Sequence, residues 1–422
     1  MKSITSFADK AKRRAGSENW ADRLAKKAMI KLLQNIEVGH LTIEDDGEVY
    51  SFGQPSKDID IIAHISVNHI SAYRAVLFGG TVGSGEAYID NTWWSPDLTQ
   101  VIRLMVVNMA MLQKMDSRWS AFSGAINRFL LRFSSNTKDG SKRNISAHYD
   151  LSNDFFSLFL DKSMQYSSGI YPHGSSSLES ASFNKLERVC EQLNLASNDH
   201  LLEIGTGWGG LAIHAAKRFG CRVTTVTISQ KQFEYARDWV EQEGLQNLVD
   251  VQLKDYRDIK GKFDKLVSIE MIEAVGHQFY KNYFSLCSQF LKPKGLMLIQ
   301  AITIPDQRYD YAKNRADFIK KYIFPGGCLP SIEVIARNIR AYTDMQIVSL
   351  DDITLHYAKT LADWKNEFFK KLDQVADQGF SDQFVRMWDF YLSYCEGGFR
   401  ERVIGTSQIV FAKPGNRDLP AI

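Results

Sequence analysis

The pattern of apolar and polar residues changes character at about residue 183 of this 422-residue chain. Beyond that point, short β-branched runs alternate with longer stretches whose apolar residues recur at helical spacing. The runs predict strands at 200–204, 222–227, 248–253, 264–269 and 295–302, and the stretches predict helices at 183–195, 209–219, 230–243 and 278–291. Strands that alternate with helices in this way are typical of a parallel, doubly wound α/β sheet.

The earlier part of the chain follows a different pattern. Residues 36–90 predict short strands on either side of the turn Asp45-Asp46-Gly47, and residues 97–112 predict a helix. The polar segment 134–144 has the composition of a linker. We therefore expect a small α+β domain over residues 1–135 and a second domain over 136–415.

A helix is also predicted near the N-terminus, where apolar residues from Trp20 to Leu33 recur at helical spacing opposite Arg23, Lys26, Lys27 and Lys31. A basic amphipathic helix suits an anionic membrane surface. The same pattern also fits a helix that docks on its own domain and leaves its basic face in water. The first domain is accordingly expected to serve membrane association or the formation of a homodimer.

Composition and charge exclude several classes of protein. The chain is 44% hydrophobic and 24% charged, which is typical of globular domains rather than disordered ones. Its net charge is +2, so no basic field indicates a nucleic-acid partner. No apolar run is long enough to span a bilayer, and no apolar segment typical of a signal peptide follows Lys2. Five scattered cysteines without a CxxC pair fit a reducing compartment, so we expect a cytoplasmic protein.

The strongest local signal is the segment LLEIGTGWGG, residues 201–210. A predicted strand ends in glycines that let the backbone approach a ligand, and the helix that follows opens with its N–H groups facing that ligand. Gly205, Gly207 and Gly210 also satisfy the nicotinamide-binding pattern GxGxxG. However, the second strand ends in Thr227 and lacks the acidic residue that holds an NAD ribose. Glu203, two residues before the first glycine, can reach the amino group of a bound amino acid, which favours S-adenosylmethionine.

Several further motifs resemble those of the cyclopropane fatty acid synthase family of S-adenosylmethionine-dependent methyltransferases. They are NISAHYDLSNDFFSLFLDKSMQYSSGIY (144–171), LLEIGTGWGG, TISQKQ (227–232), KDYRD (254–258), SIEMIEAVG (268–276), DFIKKYIFPGGCLPS (317–331) and YLSYCEGGFRER (391–402). They cover nearly all of residues 144–414 in the family's order, and residues 78–99 resemble the extra N-terminal domain of the longer members. The resemblance implies a class I methyltransferase fold, with a helical insertion after the strand that ends at 302.

The resemblance also implies a set of cofactor contacts. Tyr166 and Ser167 would lie beside the methionine part, Gly205 and Gly207 would form the glycine turn, and Glu203 precedes it. The remaining contacts are Thr227 and Gln232 to the ribose and carboxylate, and Asp255 and Tyr256 to the adenine. No metal site is expected.

In the family, a bound bicarbonate ion is thought to act as the base. The resemblance places its cradle at Ser168, Glu273, Gln300, the backbone of Ile302, and Tyr357. Many bacterial members have Cys at the position of Ser168 and His at that of Gln300. Both replacements can still hydrogen-bond an anion.

We therefore expect methylene transfer from S-adenosylmethionine to unsaturated acyl chains of membrane phospholipids, by a cytoplasmic enzyme that associates peripherally with the membrane. An alternative with the same cofactor and substrate gives a methyl-branched chain without ring closure. A nicotinamide-dependent dehydrogenase and a non-catalytic lipid-binding module are the remaining alternatives.

Overall fold

The computed structural model describes residues 19–55, 60–109, 151–172 and 176–418. These residues form two compact units. Unit 1 combines the residues before 131 with Ala316–Ile323 and Trp364–Val403. Unit 2 contains the rest of the chain.

Unit 1 is built on a small mixed sheet. Its elements from the N-terminal part are α1 (Trp20–Leu33), β1 (Gly39–Asp45), β2 (Glu48–Gln54), β3 (Ile62–Val67), α2 (Ser71–Ile89), β4 (Trp93–Trp94) and α3 (Leu98–Val107). The strand order is β2-β1-β3-β4, and β1 runs antiparallel to β2 but parallel to β3. Asp46 (φ 52°) and Gly47 (φ 85°) make the β1–β2 turn, both in the left-handed region that tight hairpins require.

The prediction of strands throughout residues 36–90 is wrong for its last part, because Ser71–Ile89 is helical. This segment is rich in glycine and β-branched residues, and it bends at Gly80, where φ is 53°. Two of its glycines lie where a side chain has no room. A Cβ on Gly83 would lie 2.0 Å from the Ala75 carbonyl oxygen, and one on Gly85 would lie 2.3 Å from the Phe318 ring. Close tertiary packing therefore overrides a weak local preference.

Unit 1 also takes in chain that the sequence pattern assigns to the second domain. The helix α13 (Asp382–Arg400) belongs to it, and the Phe390 ring lies 4.6 Å from the Phe318 ring. Tyr88 of α2 donates a hydrogen bond of 2.6 Å to the Asp389 carboxylate. The expected boundary at residue 135 and the linker at 134–144 lie outside the described residues.

The buried Tyr88–Asp389 hydrogen bond is expected to contribute to the stability of unit 1. Tyr88→Phe removes one donor from a carboxylate that keeps Lys365 and Ser393 as partners, so the free energy of unfolding should fall by about 1.5 kcal/mol. Urea denaturation measures this change. Tyr342→Phe, at a side chain that is 42% exposed, is the control and should change stability by less than about 0.5 kcal/mol.

The predicted N-terminal helix is confirmed as α1, and it docks on its own unit. Ala25, Met29 and Leu33 are buried, whereas Trp20 is 73% exposed and Leu24 is 56% exposed. The predicted apolar stripe is therefore divided, because only part of it faces the core. The other part lies in water among basic side chains.

Unit 2 contains a seven-stranded sheet with helices between its strands. Its strands are β5 (His200–Ile204), β6 (Arg222–Thr227), β7 (Val249–Leu253), β8 (Phe263–Ile269), β9 (Leu291–Thr303), β10 (Gln346–Asp352) and β11 (Gly405–Ala412). The principal helices are α4 (Asn153–Ser157), α5 (Leu178–Gln192), α6 (Gly210–Phe219), α7 (Gln230–Gln242), α8 (Tyr280–Phe290), α9 (Asp306–Lys313), α10 (Ile332–Tyr342) and α11 (Thr354–Lys370). Two further helical segments, which belong to unit 1, are α12 (Leu372–Asp377) and a π-helical turn at Ile319–Ile323.

The sheet order is β10-β11-β9-β8-β5-β6-β7. Strands β5 to β9 are parallel to one another, as predicted, and β11 runs antiparallel to both β9 and β10. The chain passes from β5 to β6 on one side, whereas β8 lies on the other side of β5. In open α/β sheets the ligand binds at such a switch point, outside the carboxyl ends of the strands.

Candidate active site

The glycine turn lies directly after β5, at the carboxyl edge of the sheet. Gly205 (φ 101°) and Gly207 (φ 54°) are both left-handed, and the N–H groups of Gly205 and Thr206 donate to the Val226 carbonyl oxygen at 3.0 and 3.1 Å. A Cβ built on Gly207 would meet no protein atom within 4 Å. Space is therefore open beside the turn, next to the start of α6.

Glu203 is buried just before this turn, and only 3% of it is accessible. Burial raises the pKa of its carboxyl to about 8, against the opposing effects of Thr225 and the Lys185 charge. Its Oε2 atom has no hydrogen-bond partner among the residues that the structure describes. A buried carboxylate in this state would gain from a cationic ligand group.

The other predicted cofactor contacts lie at the ends of neighbouring strands. Thr227, which ends β6, donates to the Gln232 side-chain oxygen at 2.9 Å, so these two residues form one cluster. Asp255 follows β7 and accepts two hydrogen bonds from the Arg257 guanidinium, at 2.8 and 2.6 Å. The Tyr256 ring packs edge-to-face on Tyr283 at 5.7 Å. All of them are at the carboxyl edge of the sheet.

Aromatic side chains from several parts of unit 2 lie around Tyr166. Its ring is 5.1 Å from Phe156 and 6.4 Å from Phe324. The Trp208 indole is also 5.0 Å from Phe156, and its N–H donates to the Asn153 side chain at 2.8 Å. This aromatic group includes Phe324 of the motif FPGG. Together these rings can form one wall of a pocket for an apolar chain.

A buried lysine, which the sequence pattern does not indicate, supports this segment. Lys185 of α5 donates to the Gln165 side chain and, at 3.0 Å, to the Ser167 hydroxyl. Burial lowers the pKa of its ammonium group to about 8, while the Glu270, Asp161 and Glu203 carboxylates oppose that shift. A lysine in a predicted amphipathic helix is usually solvated, so its position in the sequence gave no signal of this role.

The residues predicted to hold an anion do converge, but on the side chain of another residue, Glu270. Its carboxylate accepts from the Ser168 backbone N–H at 3.0 Å, the Gln300 side-chain amide at 2.7 Å and the Tyr357 hydroxyl at 2.7 Å. The Ser168 hydroxyl points elsewhere and donates to the Gly169 carbonyl oxygen at 3.0 Å. In the structure, the contact of Ser168 with this group is therefore made by its backbone, and its place in an anion cradle stays a prediction.

Glu273 and Ile302 form a separate pair beside this group. The Ile302 N–H donates to the Glu273 carboxylate at 2.5 Å, and the other carboxylate oxygen has no partner among the described residues. Burial, followed by the nearby Glu270 charge, raises the pKa of Glu273 to about 8. This carboxyl is therefore largely protonated at neutral pH.

A bicarbonate ion does not fit this arrangement in the way that the family resemblance implies. Three of its five expected contacts donate to the Glu270 carboxylate, which lies between them. The sequence contained one signal of this role: Glu270 directly follows β8, the strand beside the one that carries the glycine turn.

The chain is similar to several known proteins. Residues 136–409 match the family model described as mycolic acid cyclopropane synthetase. The tuberculostearic acid methyltransferase UfaA1 of Mycobacterium tuberculosis is 37% identical over 343 residues, which are 80% of this chain and 80% of that one. The cyclopropane-fatty-acyl-phospholipid synthase of Escherichia coli K12 is 36% identical over 351 residues, 83% of this chain and 88% of that one.

Solved structures are similar to this chain as well. The cyclopropane synthase MmaA2 from Mycobacterium tuberculosis matches with a TM-score of 0.60 and 28% identity, over 64% of this chain and 98% of its own. The mycolic acid cyclopropane synthase CmaA1, complexed with SAH and CTAB, gives 0.59 and 29% over the same shares. The fold is thus that of class I S-adenosylmethionine-dependent methyltransferases. Because the family match covers more than half of the chain, the protein belongs to the mycolic acid cyclopropane synthetase family and is an S-adenosylmethionine-dependent methyltransferase.

Proposed function

We propose that this methyltransferase transfers a methylene group from S-adenosylmethionine to the double bond of an unsaturated acyl chain in a membrane phospholipid, forming a cyclopropane. The observation that carries the proposal is the hydrogen-bonded carboxylate of Glu270. Glu270 is next in sequence to Met271, whose side chain lines the glycine turn. A Cβ on Gly205 would lie 3.4 Å from Met271. A group that can take a proton and a turn that can hold the cofactor therefore occupy one region.

The chemistry requires close positioning and exclusion of water. A carbon–carbon double bond is a poor nucleophile, so the sulfonium methyl must be held against it in a near-attack arrangement. The attack forms a carbon–carbon bond, releases S-adenosylhomocysteine and leaves a carbocation on the neighbouring carbon. Water would trap that cation as an alcohol, so the pocket must exclude it.

The aromatic side chains around Tyr166 suit this intermediate. A cation within about 6 Å of an aromatic ring face is stabilised by the ring quadrupole. Loss of a proton from the delivered methyl group then closes the ring. This proton is strongly acidic because of the adjacent positive charge, so a weak base suffices.

The exposed face of α1 supports a lipid surface as the source of the substrate. Trp20 and Leu24 are exposed there together with Lys27 and Lys31, one and two helical turns further along the same face. Apolar side chains of this kind can enter the headgroup region of a bilayer while lysines attract anionic lipids. Among the described residues, no helix is both apolar and long enough to cross a bilayer.

A methyl-branched product is the second candidate, and the similarity to a tuberculostearic acid methyltransferase favours it. If a hydride moves to the cationic carbon before the proton is lost, the charge comes to lie beside the new methyl group. Loss of a proton from that methyl then gives a methylene branch instead of a ring. Saturation of this branch would need a separate hydride donor.

Product analysis tests the proposal and separates the two candidates. The enzyme is incubated with vesicles of anionic, cis-monounsaturated phospholipid and cofactor that carries a ¹³C,²H₃-methyl group. Cyclopropane carbons in the NMR spectra of the released acyl chains, with two of three deuterons retained, are expected. An alkene carbon bearing the label would favour the branched product, and unlabelled acyl chains in the presence of bound cofactor would refute both.

Glu273→Gln provides a further test of how the site is protonated. Glutamine matches the neutral carboxyl in shape and still accepts from the Ile302 N–H, so turnover at pH 7 should stay within about tenfold of wild type. A fall of about 100-fold or more, with unchanged cofactor affinity, would indicate that an ionised Glu273 is required. Steady-state kinetics and calorimetry measure the two quantities.

A further inference from the structure

We propose that the Glu270 carboxylate is the built-in base of this enzyme and takes the place of a bound bicarbonate ion. The inference rests on the proposed function only in requiring a carbocation that must lose a proton. It holds for the cyclopropane and for the methylene-branched product alike. Its two parts, occupation of the cradle and proton removal, can be measured separately.

The hydrogen bonds around Glu270 support occupation of the cradle. One carboxylate oxygen accepts from the Ser168 N–H and the Gln300 amide, and the other accepts from the Tyr357 hydroxyl. A small free anion would be held there by contacts from four separate parts of the fold, at residues 168, 273, 300–302 and 357. Three of them are instead directed at a carboxylate that the chain itself supplies.

The orientation of the Gln300 amide is also fixed for this purpose. Its oxygen accepts from the Gln408 side-chain amide at 3.0 Å, and the Gln408 oxygen accepts from the Arg188 guanidinium at 3.1 Å. Arg188 can only donate, so the chain of bonds leaves the N–H of Gln300 facing Glu270. Gln300 is thus a positioning residue for a negatively charged partner.

The backbone at Glu270 gives independent support. Its φ is +48°, in the left-handed region where glycine is favoured and a residue with a Cβ is strained. Strained conformations of this kind persist where the surroundings hold them, and they concentrate at functional sites. Here the strain places a carboxylate at the carboxyl end of β8, while the Glu270 N–H still donates to the Gln300 carbonyl oxygen at 2.7 Å.

Accessibility distinguishes Glu270 from the residues that hold it. Ser168 and Gln300 are 0% accessible, and Tyr357 is 5% accessible, whereas Glu270 is only partly buried. Of these four residues, Glu270 is therefore the most open to a ligand. In the reaction it would take one proton from the methyl group of the carbocation, and the released C–H electron pair would form the new carbon–carbon bond or double bond. The neutral carboxylic acid then returns the proton to water.

The decisive variant is Glu270→Gly, which removes the carboxylate and suits the left-handed backbone, so the fold should be retained. In bicarbonate-free buffer we expect wild type to keep its full rate and Glu270→Gly to lose about 100-fold or more, the scale of a positioned base. Added bicarbonate or formate should restore part of the variant's rate and leave wild type unchanged. Glu270→Gln, which keeps the size but not the basicity, should lose activity without being rescued.

A binding measurement tests the cradle without relying on turnover. Bicarbonate should raise the melting temperature of Glu270→Gly, and its binding to this variant should broaden the ¹³C-bicarbonate resonance. Neither effect is expected with wild type. Asn194→Gly is the matched control: Asn194 is also left-handed (φ 47°) in unit 2, and its replacement relieves backbone strain away from the site. This variant should behave like wild type in every assay. Calorimetric binding of S-adenosylhomocysteine establishes that each variant is folded.

The possible results are distinguishable. If wild type needs bicarbonate for activity, or if Glu270→Gln keeps the wild-type rate, Glu270 is not the base. If bicarbonate binds wild type as well as it binds Glu270→Gly, the carboxylate does not occupy the cradle. If wild type binds cofactor but converts no acyl chain, the proposed substrate is wrong, and the bicarbonate-binding comparison still decides whether Glu270 fills the cradle.

Discussion

Gly207→Val should abolish measurable binding of S-adenosylhomocysteine, which corresponds to a loss of affinity of about 100-fold or more. Two effects act in the same direction. A Cβ here would enter the open space beside the glycine turn, where no protein atom lies within 4 Å, and a β-branched residue resists the φ of +54° that the turn requires. Titration calorimetry measures the affinity.

Gly244→Val is the control that separates the effect of filling the space of the ligand from the effect of backbone strain. Gly244 is also left-handed (φ +67°), and a Cβ added there would have no protein atom within 4 Å, but it lies in the connection from α7 to β7. Its replacement should reduce stability by about 1–2 kcal/mol and leave cofactor affinity unchanged. If Gly207→Val binds as tightly as Gly244→Val, the turn does not contact the cofactor.

Glu203→Gln should weaken S-adenosylhomocysteine binding by about 10- to 100-fold, the usual value of a hydrogen bond to a charged group. In the free protein, burial raises the pKa of Glu203 to about 8, so the carboxyl holds its proton at neutral pH. The ammonium group of the ligand requires the ionised form, and binding must therefore release that proton. Wild-type affinity should rise as the pH increases from 6 to 8.

The variant should lose this pH dependence, because glutamine has no proton to release. Calorimetry in buffers of different ionisation enthalpy counts the protons directly. Glu241→Gln, at an exposed position on α7, controls for the change in net charge and should match wild type. Equal pH profiles for wild type and Glu203→Gln would show that Glu203 does not meet the ammonium group.

The sequence predicted the parts of the fold whose pattern is local. Strand β5 and the turn at Gly205 and Gly207 were predictable because a buried β-branched run, a glycine pair and a helix start are contiguous. Strand β10 was missed because it is an edge strand whose side chains are largely exposed, so it carries no apolar run. The sequence of α2 favours strands, because its helical state depends on packing against distant residues such as Phe318.

The candidate site was predictable where one motif supplied both the residue and its setting. Glu203 follows from its place at a strand end before the glycine turn, whereas the resemblance implied Thr227 and Gln232. The structure places all three at one edge of the sheet. Glu270 was not predicted, because its three donors come from positions 168, 300 and 357. No local pattern reports that such distant residues meet. The φ of +48° was equally invisible, since a glutamate gives no sign of a left-handed backbone.

The composition of unit 1 has a consequence for engineering chimeras of this family. Because Ala316–Ile323 and Trp364–Val403 belong to the same compact unit as the N-terminal residues, that unit cannot be transplanted as one continuous cassette. A fragment that stops before residue 316 would lack Phe318, Trp388 and Phe390, each no more than 1% accessible, and would lose about 2–3 kcal/mol of burial for each. A graft onto a shorter relative therefore has to include both of these later segments along with the N-terminal residues. Limited proteolysis of the grafted protein would show whether the exchanged pieces fold together.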